Sequence, residues 1–235
     1  MTPGDSAVLA IVVGIRYGQE YFLPLQLSPP PEPASSAVLL NCDLLRQAAG
    51  LLVRLADGRE AEANRRIAEQ ISFLRRRAAA LCSHVRDGRL APSFMNQEPD
   101  YAHRVILAVD DLIESIDVCA LAFVANYAGP NMEMATIACS LILQSVERLQ
   151  KRISMRLGHD GRSPFHERGY DAYETIRALE SEILRIVRRE MNPTPDGESD
   201  IQHVSRSQAV FQGIQAVAQR CRDLMEAVEA MCPAT

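Results

Sequence analysis

The sequence predicts an all-α protein of six long helices. Two observations carry this. From Ser36 onward, apolar residues recur every three or four positions in six separate stretches, the spacing that lines one face of a helix. Between the stretches stand short segments with Gly, Pro, Asn and Asp, residues that stop helices or start turns. A third observation is negative: beyond the first 35 residues no run reads convincingly as a strand.

Residues 1–35 differ from the rest. Residues 7–15 read as a short strand or helix, and residues 21–27 are semi-apolar. Pro29, Pro30, Pro31, Glu32 and Pro33 then forbid a helix and favour an extended chain. This stretch is read as an N-terminal arm ending in a stiff linker.

The six helices follow in order. Helix one is expected over residues 37–57, capped by Ser35 or Ser36 and stopped by Gly58, with Leu40, Leu44, Ala48, Leu51 and Leu55 inward. Helix two, residues 60–86, turns Ile67, Ile71, Leu74, Ala78, Leu81 and Val85 inward. Helix three, residues 100–127, does so with Val105, Val109, Leu112, Ile116, Cys119 and Phe123, and stops at Gly129 and Pro130. Asn131 caps helix four, which runs to residue 157 with Met134, Ile137, Leu141, Val146, Leu149 and Ile153 inward. Helix five covers residues 165–191, with Ile176, Leu179, Ile183, Ile186 and Val187 inward. Helix six covers residues 201–231, with Val210, Ile214, Val217, Cys221, Leu224, Val228 and Met231 inward. Helices this long stand because a partner covers their apolar face, and short breaks between them favour antiparallel neighbours in a bundle.

Composition narrows the function. Of 235 residues, 47% are hydrophobic and 23% charged, which suits a globular protein and excludes wholesale disorder. The net charge of −5 argues against a general nucleic-acid binder, which needs a basic surface. Basic charge is almost all Arg, with Lys151 the single Lys. Cys42, Cys82, Cys119, Cys139, Cys221 and Cys232 form no CxxC pair and fall mostly among apolar helix residues. They read as buried thiols in a reducing compartment. Residues 1–6 lack the basic start of a secretion signal, and the run at 7–15 is too short to span a bilayer. The expected location is cytoplasmic, with any membrane association made through a partner.

Several smaller constellations have plain explanations. Asp100 with His103, and Asp200 with His203, fall at helix starts, where Asp serves as a cap. His159, Asp160, His166 and Glu167 belong in or beside a polar loop. Arg75, Arg76, Arg77, Arg188 and Arg189 read as a solvated surface or as a partner-binding patch. No nucleophile elbow, P-loop, GxGxxG or HExxH occurs, so no enzyme is expected.

The helices divide into two sets of three, residues 36–129 and 130–235, with matching acidic positions. Glu69 and Glu180 stand 111 residues apart on the second helix of each set, and Asp110 with Glu114 stands 109 residues before Gln219 with Asp223 on the third. These residues, in the contexts Ile67, Ala68, Glu69, Gln70, Ile71 and Val109, Asp110, Asp111, Leu112, Ile113, Glu114, carry a resemblance. So do Leu179, Glu180, Ser181, Glu182, Ile183 and the run from Val217 to Asp223. Over residues 36–232 the chain resembles the PhoU-like phosphate-transport regulators, in particular the branch accessory to low-affinity inorganic phosphate transporters.

That resemblance implies two tandem antiparallel three-helix bundles and a non-enzymatic regulatory or accessory role exercised through protein contacts. The implied partner is a membrane phosphate transporter or a sensor kinase, with self-association into a homo-oligomer and no direct membrane insertion. It also implies divalent or iron cations held by carboxylates at i and i+4, which project from one helical face. The candidate ligands here are Asp110, Glu114, Glu69, Glu180 and Asp223. Phe73 and Leu184 stand where second carboxylates are expected, and Gln219 replaces a third, so the motifs are degenerate. Two alternatives stay open: a metal–carboxylate bundle with iron-dependent activity, and a metal-free helical adaptor.

Overall fold

The computed structural model describes residues 34–58, 60–87, 99–126, 132–157, 165–191 and 201–229. They form six helices: α1 (Ala34–Asp57), α2 (Ala61–Arg86), α3 (Pro99–Ala125), α4 (Met132–Leu157), α5 (Phe165–Met191) and α6 (Ile201–Glu229). All six belong to one compact unit. The N-terminal arm, Met231 and Cys232 lie outside the described residues.

Helix neighbours follow a simple plan. α1, α2 and α3 each pack on the other two, and so do α4, α5 and α6. The two sets are joined by α1 against α4 and α3 against α6. Four helices (α1, α3, α4 and α6) therefore have three neighbours each, while α2 and α5 have two. A helix with two neighbours needs one apolar stripe; a helix with three needs a wider one.

The sequences obey this. On α3 the whole expected stripe, Val105, Val109, Leu112, Ile116, Cys119 and Phe123, is buried, and Ala102, Ile106, Ile113 and Ala120 widen it. α2 buries a narrow stripe of Ala68, Ile71, Leu74, Ala78 and Cys82, with Ile67 and Leu81 partly covered. α5 buries Ile176, Ile183, Ile186 and Val187. Both outer helices carry several exposed arginines on their remaining surface.

Two expected core residues are exposed. Leu40 is 38% and Ile137 42% accessible. On α1 the buried surface is Ala37 with Val38, Asn41 with Cys42, Leu44 with Leu45, Ala48 with Ala49, Leu52, and Leu55 with Ala56. α1 packs on α2, α3 and α4, and the doubled stripe that serves them is centred beside the line through Leu40. On α4 the line runs through Ala135, Ala138, Cys139 and Ile142, which leaves Ile137 outward. Helix one also starts earlier than expected, at Ala34, so Ser35 and Ser36 lie in its first turn instead of capping it. The first-turn N–H groups have no intrahelical partner in any case, so serine costs little there.

By length and composition, residues 36–57 of α1 would suffice to cross a membrane, but half of that stretch is buried within the bundle. Its apolar character is what three helical neighbours require.

Two glycines set close approaches. At Gly58 the chain turns from α1 into α2: its N–H donates to the Leu55 carbonyl at 3.2 Å, and its own carbonyl accepts from Asn64 Nδ2 at 3.4 Å. A Cβ at Gly58 would stand 2.0 Å from Asn64 Oδ1, and Asn64 is buried. At Gly213 of α6 a Cβ would meet Cys119 of α3 at 3.1 Å from Sγ and 3.2 Å from Cα. The two sets of helices touch there nearly backbone to backbone.

The five described cysteines are buried free thiols. Burial pushes Cys42, Cys119 and Cys221 up to about 12, and Cys139 well above its ordinary value. Cys82 is tied into the core, accepting from Asn41 Nδ2 at 3.8 Å and donating to the Ile106 carbonyl at 3.6 Å.

Two measurements check this packing. Gly50 has open space around a notional Cβ, so Gly50→Ala should raise stability by about 1 kcal/mol through helix propensity. Gly213→Ala should fall at least about 1 kcal/mol below it in urea unfolding, because overpacking the α3–α6 crossing offsets the same gain. The thiols of Cys42, Cys119, Cys139 and Cys221 should stay unreactive to a disulfide reagent in native protein and react on unfolding; rapid native labelling of any of them would contradict their burial.

Candidate functional site

Of the sequence-derived candidates, Glu114 falls where α2 meets α3, and Glu180 and Asp223 fall where α5 meets α6. In the first, α2 runs antiparallel to α3, which places Ser72 and Arg75 opposite Asp117 and Glu114. Arg75 Nη2 donates to Glu114 Oε1, and its Nη1 lies 3.6 Å from Asp117 Oδ2. Ser72 Oγ donates to Asp117 Oδ1 at 2.6 Å. Asp117 is buried and Glu114 half-exposed. Asp110 is half-buried one turn before Glu114, and Glu69 is exposed on α2.

In the second contact Glu180 of α5 is buried, at 6% accessibility. Arg222 of α6 donates to it from Nη1 at 3.0 Å. The same guanidinium lies 3.7 Å from Glu226 Oε1 and 4.0 Å from Asp223 Oδ1. Asp223 also accepts from Arg220 Nη1 at 3.2 Å. Gln219 is exposed.

The structure thus brings Glu180 together with Asp223, and Glu114 together with Asp117, each time around an arginine. Among the described residues no group of three or more His, Cys, Asp or Glu side chains is arranged to hold a metal ion. The donor chemistry agrees. Phe73, where a second carboxylate is expected, is 53% accessible and lies under the Arg77 guanidinium, 6.0 Å from the ring centre. Leu184 is half-buried beside Glu180. As they stand, these residues do not fit a resident cation.

Sequence reasoning missed Asp117, Arg75 and Arg222 as partners of these carboxylates. Asp117 carried a signal: with Asp110 and Glu114 it continues one acidic line at steps of four and three, inside an otherwise apolar helix. It also missed a third ionic contact. Arg152 of α4, 4% accessible, donates to Glu229 of α6 from Nε at 2.8 Å and from Nη2 at 3.3 Å, and Arg156 joins it at 3.4 Å. This two-pronged geometry is a strong form of the pair. The Nη1 of Arg152 is buried with no hydrogen-bond partner. Asp43 of α1 accepts from Gln150 of α4 at 2.6 Å, a polar tie between the two sets of helices.

His103 is half-buried on α3. The side chains of Asp100, His166, Glu167 and His203 lie outside the described residues, as do His159, Asp160 and Asp200. Arg76, Arg77, Arg188 and Arg189 are exposed on the outer helices, while Met225 is core.

Burial pushes the Glu180 carboxyl above its ordinary value; Arg222 opposes this, and Asp223 and Glu226 reinforce it. A carboxyl raised on folding binds its proton more readily folded than unfolded. Its contribution to stability is therefore fully present below the ordinary carboxylate value and is lost as pH rises through the raised one. In thermal melts, wild type should gain on Glu180→Gln as pH falls from neutral into the carboxylate range; a constant difference would contradict the upward shift.

No family model and no curated protein matches this chain in sequence. Solved structures do match. One is described as a PhoU-like phosphate regulatory protein from Shewanella oneidensis MR-1, with a TM-score of 0.72, 13% identity, and 84% of this chain and 98% of that one covered. A PhoU-like protein from the same organism matches with a TM-score of 0.70, 14% identity and the same coverage. At that identity the likeness speaks for the architecture, and it does so over nearly the whole of each matched structure: this chain is an all-α six-helix bundle with a PhoU-like fold.

Proposed function

We propose that the chain is a non-enzymatic regulatory or accessory protein of inorganic phosphate transport, acting through contacts with a protein partner. The observation that carries this is the fold, which spans 98% of a structure described as a PhoU-like phosphate regulatory protein. The partner is a membrane phosphate transporter or a sensor kinase, met at the cytoplasmic face of the inner membrane. The chain reaches the membrane through that partner.

The outer helices supply the contact surface. α2 presents Arg65, Arg66, Arg76 and Arg77 to solvent, and α5 presents Arg177, Arg185, Arg188 and Arg189. Phe73 adds an exposed apolar side chain among the α2 arginines. Some of this charge is spent locally, as in the Arg66–Glu62 and Arg185–Glu182 pairs, which are exposed and contribute little to stability. Arg76, Arg77, Arg188 and Arg189 are the residues assigned to an acidic partner loop. A metal-free adaptor is the second reading, favoured by the arginines that sit on the candidate ligands Glu114 and Glu180.

Deleting the gene should alter inorganic phosphate uptake or phosphate-responsive expression. Tagged full-length protein should co-purify with a phosphate transporter or sensor kinase from membranes. Charge reversal of Arg76, Arg77, Arg188 and Arg189 should cut that recovery several-fold without changing the melting temperature. Normal uptake, normal regulation and no such partner would together remove the reading.

A further inference from the structure

We propose that guanidinium groups occupy the places where the fold family's carboxylates would meet cations, so that both acidic helix contacts carry built-in counter-ions and the protein is metal-independent. This goes beyond the phosphate-transport reading, which says nothing of how the carboxylates are neutralised.

The two halves reach this state by different routes. In the first, the arginine comes from the outer helix: Arg75 of α2 reaches across to Glu114 and Asp117 of α3, with Ser72 completing Asp117. In the second, it comes from the inner helix: Arg222 of α6 reaches Glu180 of α5 and lies against Asp223 and Glu226 of its own helix. Each half places an arginine among two or three carboxylates, and in the second Arg220 also pairs with Asp223.

The chemistry of the exchange is direct. A guanidinium is always charged and offers several donors in a plane, so one group can meet two carboxylates, both on α3 for Arg75 and on α5 and α6 for Arg222. A divalent ion would need carboxylate oxygens converging on one point. Here they are spread around a planar cation. Glu180 shows the dependence most clearly, since a buried carboxylate stripped of its partner is strongly destabilising.

The test uses purified full-length protein. Metal content is measured by mass spectrometry after purification without chelator and again after incubation with iron, manganese, zinc or calcium. Melting temperatures are recorded with and without EDTA. The proposal expects no stoichiometric metal and no shift with EDTA. Arg222→Met should lower the melting temperature by roughly 4–8 °C. The double variant Glu180→Gln/Arg222→Met should recover about half of that loss, because it removes the stranded charge along with its partner. Should Arg222→Met fail to fold, the same cycle on Arg75→Met with Asp117→Asn serves, at an arginine of similar exposure in the other half. A stoichiometric metal released by Glu180→Gln, a melting temperature lowered by EDTA, or strictly additive variants would overturn the proposal. Metal content and melting are read without any partner, so this outcome is separate from the fate of the phosphate-transport reading.

Discussion

The structure depends on four helices having more apolar surface than a single partner can cover. α1, α3, α4 and α6 each have three neighbours, and side chains on them such as Leu52, Ile106, Ile142 and Leu224 are fully buried. A free-standing set of three helices would leave one face of α1 and one of α3 in water. Apolar burial at about 25 cal/mol per Å² makes such faces costly to expose. That requirement accounts for α1 being apolar enough to resemble a membrane span while half of it is buried in protein.

The same plan sorts the charge. α2 and α5 have two neighbours each, which leaves a face of each open to solvent, and arginines collect there. Where an outer helix meets its acidic partner, charge must be neutralised at the edge of the core. One guanidinium at each contact does so, together with the hydroxyl of Ser72 at the first. Between α4 and α6, Arg152 and Arg156 on Glu229 solve a similar problem at a more buried place. Polar contacts therefore mark the seams between helices, and the interior between them is close to purely apolar.

Much of this was legible in the chain itself. The number, order and extent of the helices follow from three–four spacing and from breakers, and helix boundaries agree to within a few residues. The stripe on α3 was legible because one line of residues, Val105 to Phe123, runs through the middle of its buried face. The outward turn of Leu40 and Ile137 was not legible. On helices with small residues such as Ala48, Ala49, Ala135 and Ala138 in the core, large side chains are a poor guide to the inward direction, since close packing selects alanine. The candidate site was half legible. The positions of Glu180 and Asp223 on neighbouring helices were anticipated, but their arginine was not, because spacing along one helix says nothing about a side chain arriving from another. Arg75 was grouped with Arg76 and Arg77 as surface, although it turns across to α3 and they do not.

Gly213 has a mechanical consequence. With Cys119 so near, α6 cannot screw past α3 by one residue, a rise of about 1.5 Å with a turn of about 100°, without driving Gln212 or Ile214 onto that sulfur. The register of the two rods is thereby keyed by an absent side chain.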